Sequence, residues 1–348
     1  MSIHLLVPGP FEAISGGYIY DRRMVEGLRA LGETVEVVEL PGSHPVPDEA
    51  ATEGARAALH ALPDDARIVI DGLGLPAFLP LTQELAARKA VALIHHPTAL
   101  EHGTPDAART VLKAQERALF SAMARLVCTS PLTARRLPEE FGADAERIGV
   151  VEPGTDPATR AIGSGSETCA ILSVGTLVPR KGHDVLMQAL ARLTDLDWTL
   201  TLVGDERRNA THAQGLRALA EELGIAARLT FAGEVAGEAL EDLYHRADLF
   251  ALATRWEGYG MAAAEAMARG LPLAITAGGA IAEVVVPGSA IVSPVDDAMS
   301  LSKGMRRAIF DADLRAEMAE AAWQGGQALP RWTDRAEAFR AELAKAAA

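Results

Sequence analysis

An apolar run, Asp248 to Ala253, leads almost directly into RWEGYGMAAAEAMARG, Arg255 to Gly270. The run reads as a buried parallel strand. Glu257 and Gly258 form a sharp turn, and a helix begins near Gly260 or Met261. That helix is rich in Ala, the best helix former, and Gly270 ends it. Strand, glycine turn and helix in this order commit the chain to a βα unit, and ligands of open α/β sheets sit at the carboxyl ends of such strands. The N–H groups of Gly258, Tyr259, Gly260 and Met261 would meet an anion or oxygen there. Glu265, about one turn inside the helix, has the two acceptor oxygens that suit a vicinal diol such as a ribose. Glu257, outside the helix, is free to meet a second polyol. A single Glu at a helix start needs no more than the helix dipole to explain it. Two around Gly-Tyr-Gly, between a strand and an Ala helix, ask for a ligand.

The same alternation runs through the chain. Strands are predicted at Ile3–Val7, Val35–Leu40, Arg67–Asp71, Val91–His95, Leu126–Thr129 and Ile148–Val151, with helices over Tyr18–Leu31, Asp48–Leu62 and Pro105–Met123. A linker-like stretch follows, Pro153–Pro157 and then Ala161–Ser166 (AIGSGS). The pattern restarts with strands at Cys169–Val174, Trp198–Val203, Leu229–Ala232, Asp248–Ala253, Leu271–Ile275 and Ala290–Ser293. A charged helix, Thr333–Ala346, closes it. The expected fold class is α/β, with two doubly wound units at 1–160 and 161–330, a hinge between them, and a terminal helix at 331–348.

Composition sets limits. With 348 residues, 49% of them hydrophobic, the chain can form two cores, and a net charge of -14 leaves no basic field for nucleic acid. Gly103 to Arg147 carries seven Arg/Lys against six Asp/Glu, too even for strong attraction to an anionic bilayer. Met1 to Val7 lacks a basic start and breaks at Pro8-Gly9-Pro10, so no secretory leader is expected. Cys128 and Cys169 lie in strand-like stretches and read as buried free thiols of a reducing, cytoplasmic compartment. No Cys/His group has zinc spacing, and no metal is expected.

A second motif, SVGTLVPRKG, spans Ser173 to Gly182. Gly175 turns the chain off a strand, and Lys181 sits beside the strand's carboxyl end, where an ammonium can neutralise a leaving diphosphate as a point charge. Together the two motifs resemble the donor-binding signature of retaining glycosyltransferase family four, of the GT-B fold: two Rossmann-like, doubly wound domains facing a central cleft. The resemblance covers nearly the whole chain and is strongest from Cys169 to Pro294.

The resemblance implies the following. Transfer runs from a nucleotide diphosphate sugar, UDP- or GDP-linked, to a hydroxyl acceptor, with retention and without a metal or resident cofactor. Lys181, Glu257 and His95 carry the catalysis. Donor contacts come from Gly16, Gly17, Thr176, Arg180, Lys181, Val235, Glu257, Gly258, Tyr259, Gly260, Met261 and Glu265. The Gly16-Gly17 loop approaches the diphosphate, a His at the end of strand four contacts the transferred sugar, and the nucleotide base bonds to backbone at Val235. The terminal helix crosses back onto the first domain. Strand alignment favours His95 over His96 for the sugar contact, and His96 stays an acceptor candidate. Asp71 either binds acceptor or caps the next helix. Thr176 stands where the family usually has Arg, which leaves Arg180, Arg207 or Arg255 to share the phosphate charge, or Lys181 to carry it alone. Two other readings stay open: a degenerate nucleotide-sugar binder, for which Thr176 is the argument, and a phosphorylase-like enzyme using inorganic phosphate.

Overall fold

The computed structural model describes residues 2–101, 103 and 105–347; Met1 and Ala348, the ends of the first and last expected spans, lie outside them. The chain folds into two compact units, one reaching to Gly154 and resuming at Pro330, the other Thr155–Leu329.

In chain order the first unit holds β1 (Ile3–Pro8), α1 (Gly16–Ala30), β2 (Val35–Leu40), α2 (Glu49–Ala61), β3 (Arg67–Asp71), α3 (Thr82–Ala87), β4 (Val91–Ile94), α4 (Asp106–Ala122), β5 (Arg125–Cys128), α5 (Pro131–Phe141) and β6 (Ile148–Val150). Among the described residues these six strands form a parallel sheet in the order β2-β1-β3-β4-β5-β6. All six positions of β1 are buried, as a strand covered on both faces requires. Asp48 caps α2 by accepting from the Ala51 N–H (2.8 Å), and Gly142, left-handed at φ 66°, ends α5. The apolar stretch Leu75–Leu81, broken by Pro76 and Pro80, forms 3₁₀ turns instead of a strand.

The second unit holds β7 (Cys169–Val174), α6 (His183–Leu190), β8 (Trp198–Val203), α7 (Ala210–Glu222), β9 (Leu229–Gly233), α8 (Gly237–Arg246), β10 (Leu249–Leu252), α9 (Met261–Ala268), β11 (Leu273–Thr276), α10 (Ile281–Val284), β12 (Ala290–Ser293), α11 (Ala298–Phe310) and α12 (Ala312–Gln327). Its parallel sheet runs β12-β11-β10-β7-β8-β9. The strand expected from Leu271 starts at Leu273, because Pro272 has no N–H for the ladder and gives only its carbonyl, to the Phe250 N–H (2.9 Å). A last helix, α13 (Trp332–Ala347), returns to the first unit. Its Phe339 and Leu343 join Leu5, Met24 and Leu93 in the core on one face of the first sheet, its Ala336 packs on Gly27, and Glu342 pairs with buried Arg125.

The stretch that reads as a free linker is tied down. The N–H groups of Ala161 and Ile162 donate to the carbonyls of Arg269 (2.8 Å) and His245 (2.9 Å). Asp248 accepts from the Ser164 N–H (3.0 Å), the Ser164 hydroxyl (2.7 Å) and the Ala170 N–H (2.8 Å). A glycine- and serine-rich sequence permits this path as readily as a loose one, and the difference lies in a carboxylate eighty-odd residues away.

Cys128 and Cys169 are free and buried. Burial pushes the Cys169 thiol up to about 12 and Cys128 higher still. Neither should react with a disulfide reagent in native buffer, and both should on unfolding. Stoichiometric labelling of the native protein within minutes would show that the cores open.

Candidate functional site

The second sheet reverses its order between β7 and β10. Both strands therefore send their following helices to opposite sides, and the space beyond their carboxyl ends is the switch point where α/β sheets bind ligands. Both sequence motifs arrive there. After β7 the chain turns at Gly175, makes a short 3₁₀ turn over Pro179–Lys181, and passes Gly182 in the left-handed conformation (φ 65°) before α6. After β10 it runs through Thr254 and Arg255 to Glu257. The segments are stitched together: the Arg255 N–H donates to the Arg180 carbonyl (2.8 Å), and Arg180 Nη1 donates to the Trp256 carbonyl (2.6 Å).

This stitching places Lys181 Nζ 2.5 Å from Glu257 Oε1, with Arg180 Nη1 3.7 Å from Oε2. The Thr254 hydroxyl lies 3.2 Å from Oε1 as a further donor. Glu257 is buried; burial would raise its pKa, but the charges of Lys181 and Arg180 outweigh it and hold the carboxyl below the usual range. Burial pushes the Lys181 ammonium below the usual lysine range, against the pull of Glu257. Two cations converge on one carboxylate, so the cluster keeps one unit of positive charge. Behind it, His183 is fully buried and held neutral, pushed down to about 3 by burial and by the charge of Lys181.

Glu257 is also fixed through its backbone by the loop Gly278 to Ala280. Its N–H donates to the Gly278 carbonyl (2.9 Å) and its carbonyl accepts from Ala280 (2.9 Å). A Cβ on Gly278 would lie 2.2 Å from the Thr254 carbonyl, and one on Gly279 2.2 Å from that of Glu257, so both positions need glycine. Gly260, at φ 114°, packs on Ile281 and starts α9, whose first turn leaves N–H groups without helical acceptors. Gly258 and Met261 flank this turn, and Tyr259 is buried into it.

Glu265 is half-buried on α9 and accepts from the Tyr244 hydroxyl (3.0 Å). Burial raises its carboxyl, partly countered by that hydrogen bond and by Arg269. Tyr244, on α8, is missed by sequence reasoning because an aromatic at helical spacing reads as core. Thr176 is half-buried beside Gly204, whose absent Cβ lets the two turns touch. Of the arginines offered as its substitutes, only Arg180 joins Lys181. Arg207 is 82% exposed and paired with Asp205 (3.1 Å) and Glu234 (3.0 Å). Arg255 is held by Asp184 (2.7 Å) and Asp296 (2.7 Å). Val235 follows β9 and packs against the core cluster that contains Val203 and Tyr244.

The first sheet has its own switch point, between β1 and β3. Gly16 and Gly17 are not a loop there but the first residues of α1, with Ser15 in the capping position. Their lack of side chains lets the helix start against His95: a Cβ on Gly17 would lie 3.4 Å from the ring. His95 Nε2 is 3.0 Å from Asp21 Oδ1 and 3.3 Å from Asp71 Oδ2. Asp71 does not cap a helix; its other oxygen accepts from the Leu73 N–H (2.9 Å). His96 points elsewhere, 3.6 Å from Glu101. Asp21 is the second residue that sequence reading missed. Its place one turn after Gly17 was the available signal, but on a helix a lone Asp reads as solvated. The Asp21, Asp71 and His95 donor atoms lie within 4.8 Å of one another, and they form an ion-pair cluster in which the imidazole nitrogen already faces both carboxylates.

Two Rossmann-like units built on these sheets constitute a GT-B fold. Sucrose-phosphate synthase from Thermosynechococcus elongatus superimposes with a TM-score of 0.84 over 98% of both chains at 22% identity. Anabaena HepE, solved in complex with UDP and glucose, gives 0.78 over 99% of this chain and all of that one at 19% identity. Residues 158–324, which lie within the second unit, match the family model of glycosyl transferases group 1. The chain is also similar to D-inositol 3-phosphate glycosyltransferase of Thermomonospora curvata, 30% identical over 241 residues, or 61% of this chain and 56% of that protein. It spans about half the length of the curated relatives it matches. Among the described residues no helix is long and apolar enough to cross a membrane.

Proposed function

We propose that the protein is a glycosyltransferase that moves a sugar from a nucleoside diphosphate sugar to a hydroxyl acceptor, with retention and without a metal. The observation that carries this is the Lys181–Glu257–Arg180 cluster at the switch point of the second sheet, beside the start of α9. Its surplus positive charge and the N–H groups of α9 suit a diphosphate. A carboxylate beside the phosphate site suits sugar hydroxyls, and Glu265, further along α9, suits the ribose. The names of the relatives, a glycosyltransferase and a protein solved with UDP, support this reading. UDP is the base we favour over GDP on that ground alone.

In the proposed reaction the acceptor oxygen attacks the anomeric carbon on the face from which the phosphate leaves. The carbon–phosphate-oxygen bond breaks, and the acceptor's proton passes to the leaving phosphate oxygen. Lys181 and Arg180 stabilise the charge that develops there, which supports independence from a divalent cation. We assign the nucleotide to the second unit and the acceptor to the first, with Asp71 as a polar group of the acceptor side and His95 as the contact to the transferred sugar.

Calorimetric titration with UDP, GDP and their sugars tests the reading. Glu265→Ala should weaken nucleotide binding about tenfold or more, the loss of a charged hydrogen-bond acceptor. Glu257→Ala should bind nucleotide and transfer slowly. Wild-type protein that binds none of these ligands would refute the function, and turnover that chelators abolish would refute metal independence.

A further inference from the structure

The Asp21–His95–Asp71 cluster contains more charge than binding a neutral hydroxyl needs. Asp21 and Asp71 are 1% and 3% exposed, and both face the same imidazole nitrogen. A lone pair on Nε2 would be repelled by two carboxylate oxygens at 3.0 and 3.3 Å, so Nε2 carries a proton. With a neutral ring, two buried carboxylates would stand without direct compensation, an arrangement proteins avoid. Arg22, whose charge reaches Asp21, spends its hydrogen bonds on the carbonyls of Phe11 (2.6 Å) and Ala13 (3.0 Å) and makes no ion pair with either carboxylate among the described residues. The ring is also locked in place. Tyr20 meets it edge-on at 5.2 Å, Gly17 lies against its side, and its side chain keeps 23% exposure, so one edge reaches solvent.

We infer that Asp21 is a positioning residue: with Asp71 it holds His95 as an imidazolium, whose Nδ1–H is a standing donor to a substrate oxygen and which cannot serve as a general base. This rests on the proposed transfer for the identity of the substrate, but not for the state of the ring. It also gives the acceptor's proton one destination fewer, consistent with its passing to the leaving phosphate.

The groups facing the ring are Tyr20 and Asp21 from α1 and Asp71 from the end of β3; the charge of Arg22 reaches Asp21, and Cys128 on β5 and Arg335 on α13 reach Tyr20. Burial lowers the affinity of His95 for its proton, but Asp21 and Asp71 raise it by more, to about 10. Burial and the charge of Asp71 raise Asp21 to about 6, so the pair stays ionised between those limits.

Long-range proton–nitrogen NMR of the unliganded, histidine-labelled protein reads the ring directly. We expect His95 to show an imidazolium pattern from about pH 6.5 to 9, where an ordinary histidine deprotonates. Asp21→Asn keeps shape and an acceptor but removes the charge. It should bring the His95 titration down by at least about one pH unit, into that window. Asp71→Asn makes the same test should the first variant prove unfolded by its amide spectrum. With a working donor and acceptor, kcat/KM of Asp21→Asn should fall as pH rises through the new His95 value; a general base would lose activity in the opposite direction. A His95 that is neutral near pH 7 in the wild type, or unmoved in both variants, would overturn the inference. So would a His95 signal that shifts on chelation and returns with a divalent metal. The NMR needs no donor, so a protein inert toward every nucleotide sugar would sink the proposed transfer and leave the ring's state decided on its own evidence.

Discussion

Lys181→Ala should lower the turnover of sugar transfer by about 10²–10³-fold, the usual loss for one preorganised donor to a developing negative charge. The expectation is at the upper end because Thr176 offers one neutral hydrogen bond where a guanidinium would offer charged ones. Arg207 and Arg255 are committed to other carboxylates, which leaves Arg180. The geometry adds a second consequence. Without Lys181, the partners left to the buried Glu257 carboxylate among the described residues are Arg180 at 3.7 Å and the Thr254 hydroxyl at 3.2 Å. Its pKa should then rise and the second unit lose stability. In the wild type, Glu257 is held below the ordinary glutamate value of about 4.3, so its contribution is present above that pH and is lost as pH falls below it. Lys181→Ala should remove this acid sensitivity along with the activity. Steady-state rates and thermal unfolding between about pH 3 and 7 measure both. Turnover within about threefold of wild type would move the phosphate site away from this motif.

Gly182→Ala should destabilise the second unit by roughly 2–5 kcal/mol, the sum of a left-handed backbone penalty and overpacking. Gly182 stands at φ 65°, and a Cβ there would lie 1.9 Å from the Ala253 carbonyl oxygen. The clash falls between the turn that carries Lys181 and the strand end that leads to Glu257. Any relaxation must therefore separate the two charged groups, and nucleotide affinity should fall with the unfolding temperature. Calorimetric unfolding with and without nucleotide reads both quantities. An alanine variant as stable as wild type would mean that the two segments are not packed as described.

Much of this was legible in the sequence because parallel strands buried on both faces appear as short unbroken apolar runs. Cys169–Val174 and Trp198–Val203 were bounded to the residue for that reason. The switch-point motifs were legible because glycine marks backbone that side chains would block, as at Gly182 and Gly260. What escaped depends on partners distant in sequence. Asp21 gains its meaning from His95 and Asp71, seventy-four and fifty residues on. Tyr244 gains its own from Glu265, and Ser164 from Asp248. Periodicity describes which face of an element is apolar; it does not say which polar group waits on the next element.

The return of α13 to the first sheet has a consequence for synthesis. The second unit is contiguous, and its strands and helices are all present once Leu329 has emerged. The first unit must wait for a helix made after the whole of the second. At about 5–20 residues per second, that interval is roughly 10–35 s. Throughout it, the apolar surface that Phe339 and Leu343 will cover, around Leu5, Met24 and Leu93, has no lid. The half of the molecule translated first is thus completed last, and during that delay a chaperone, or a neighbouring nascent chain, competes with α13 for the same surface.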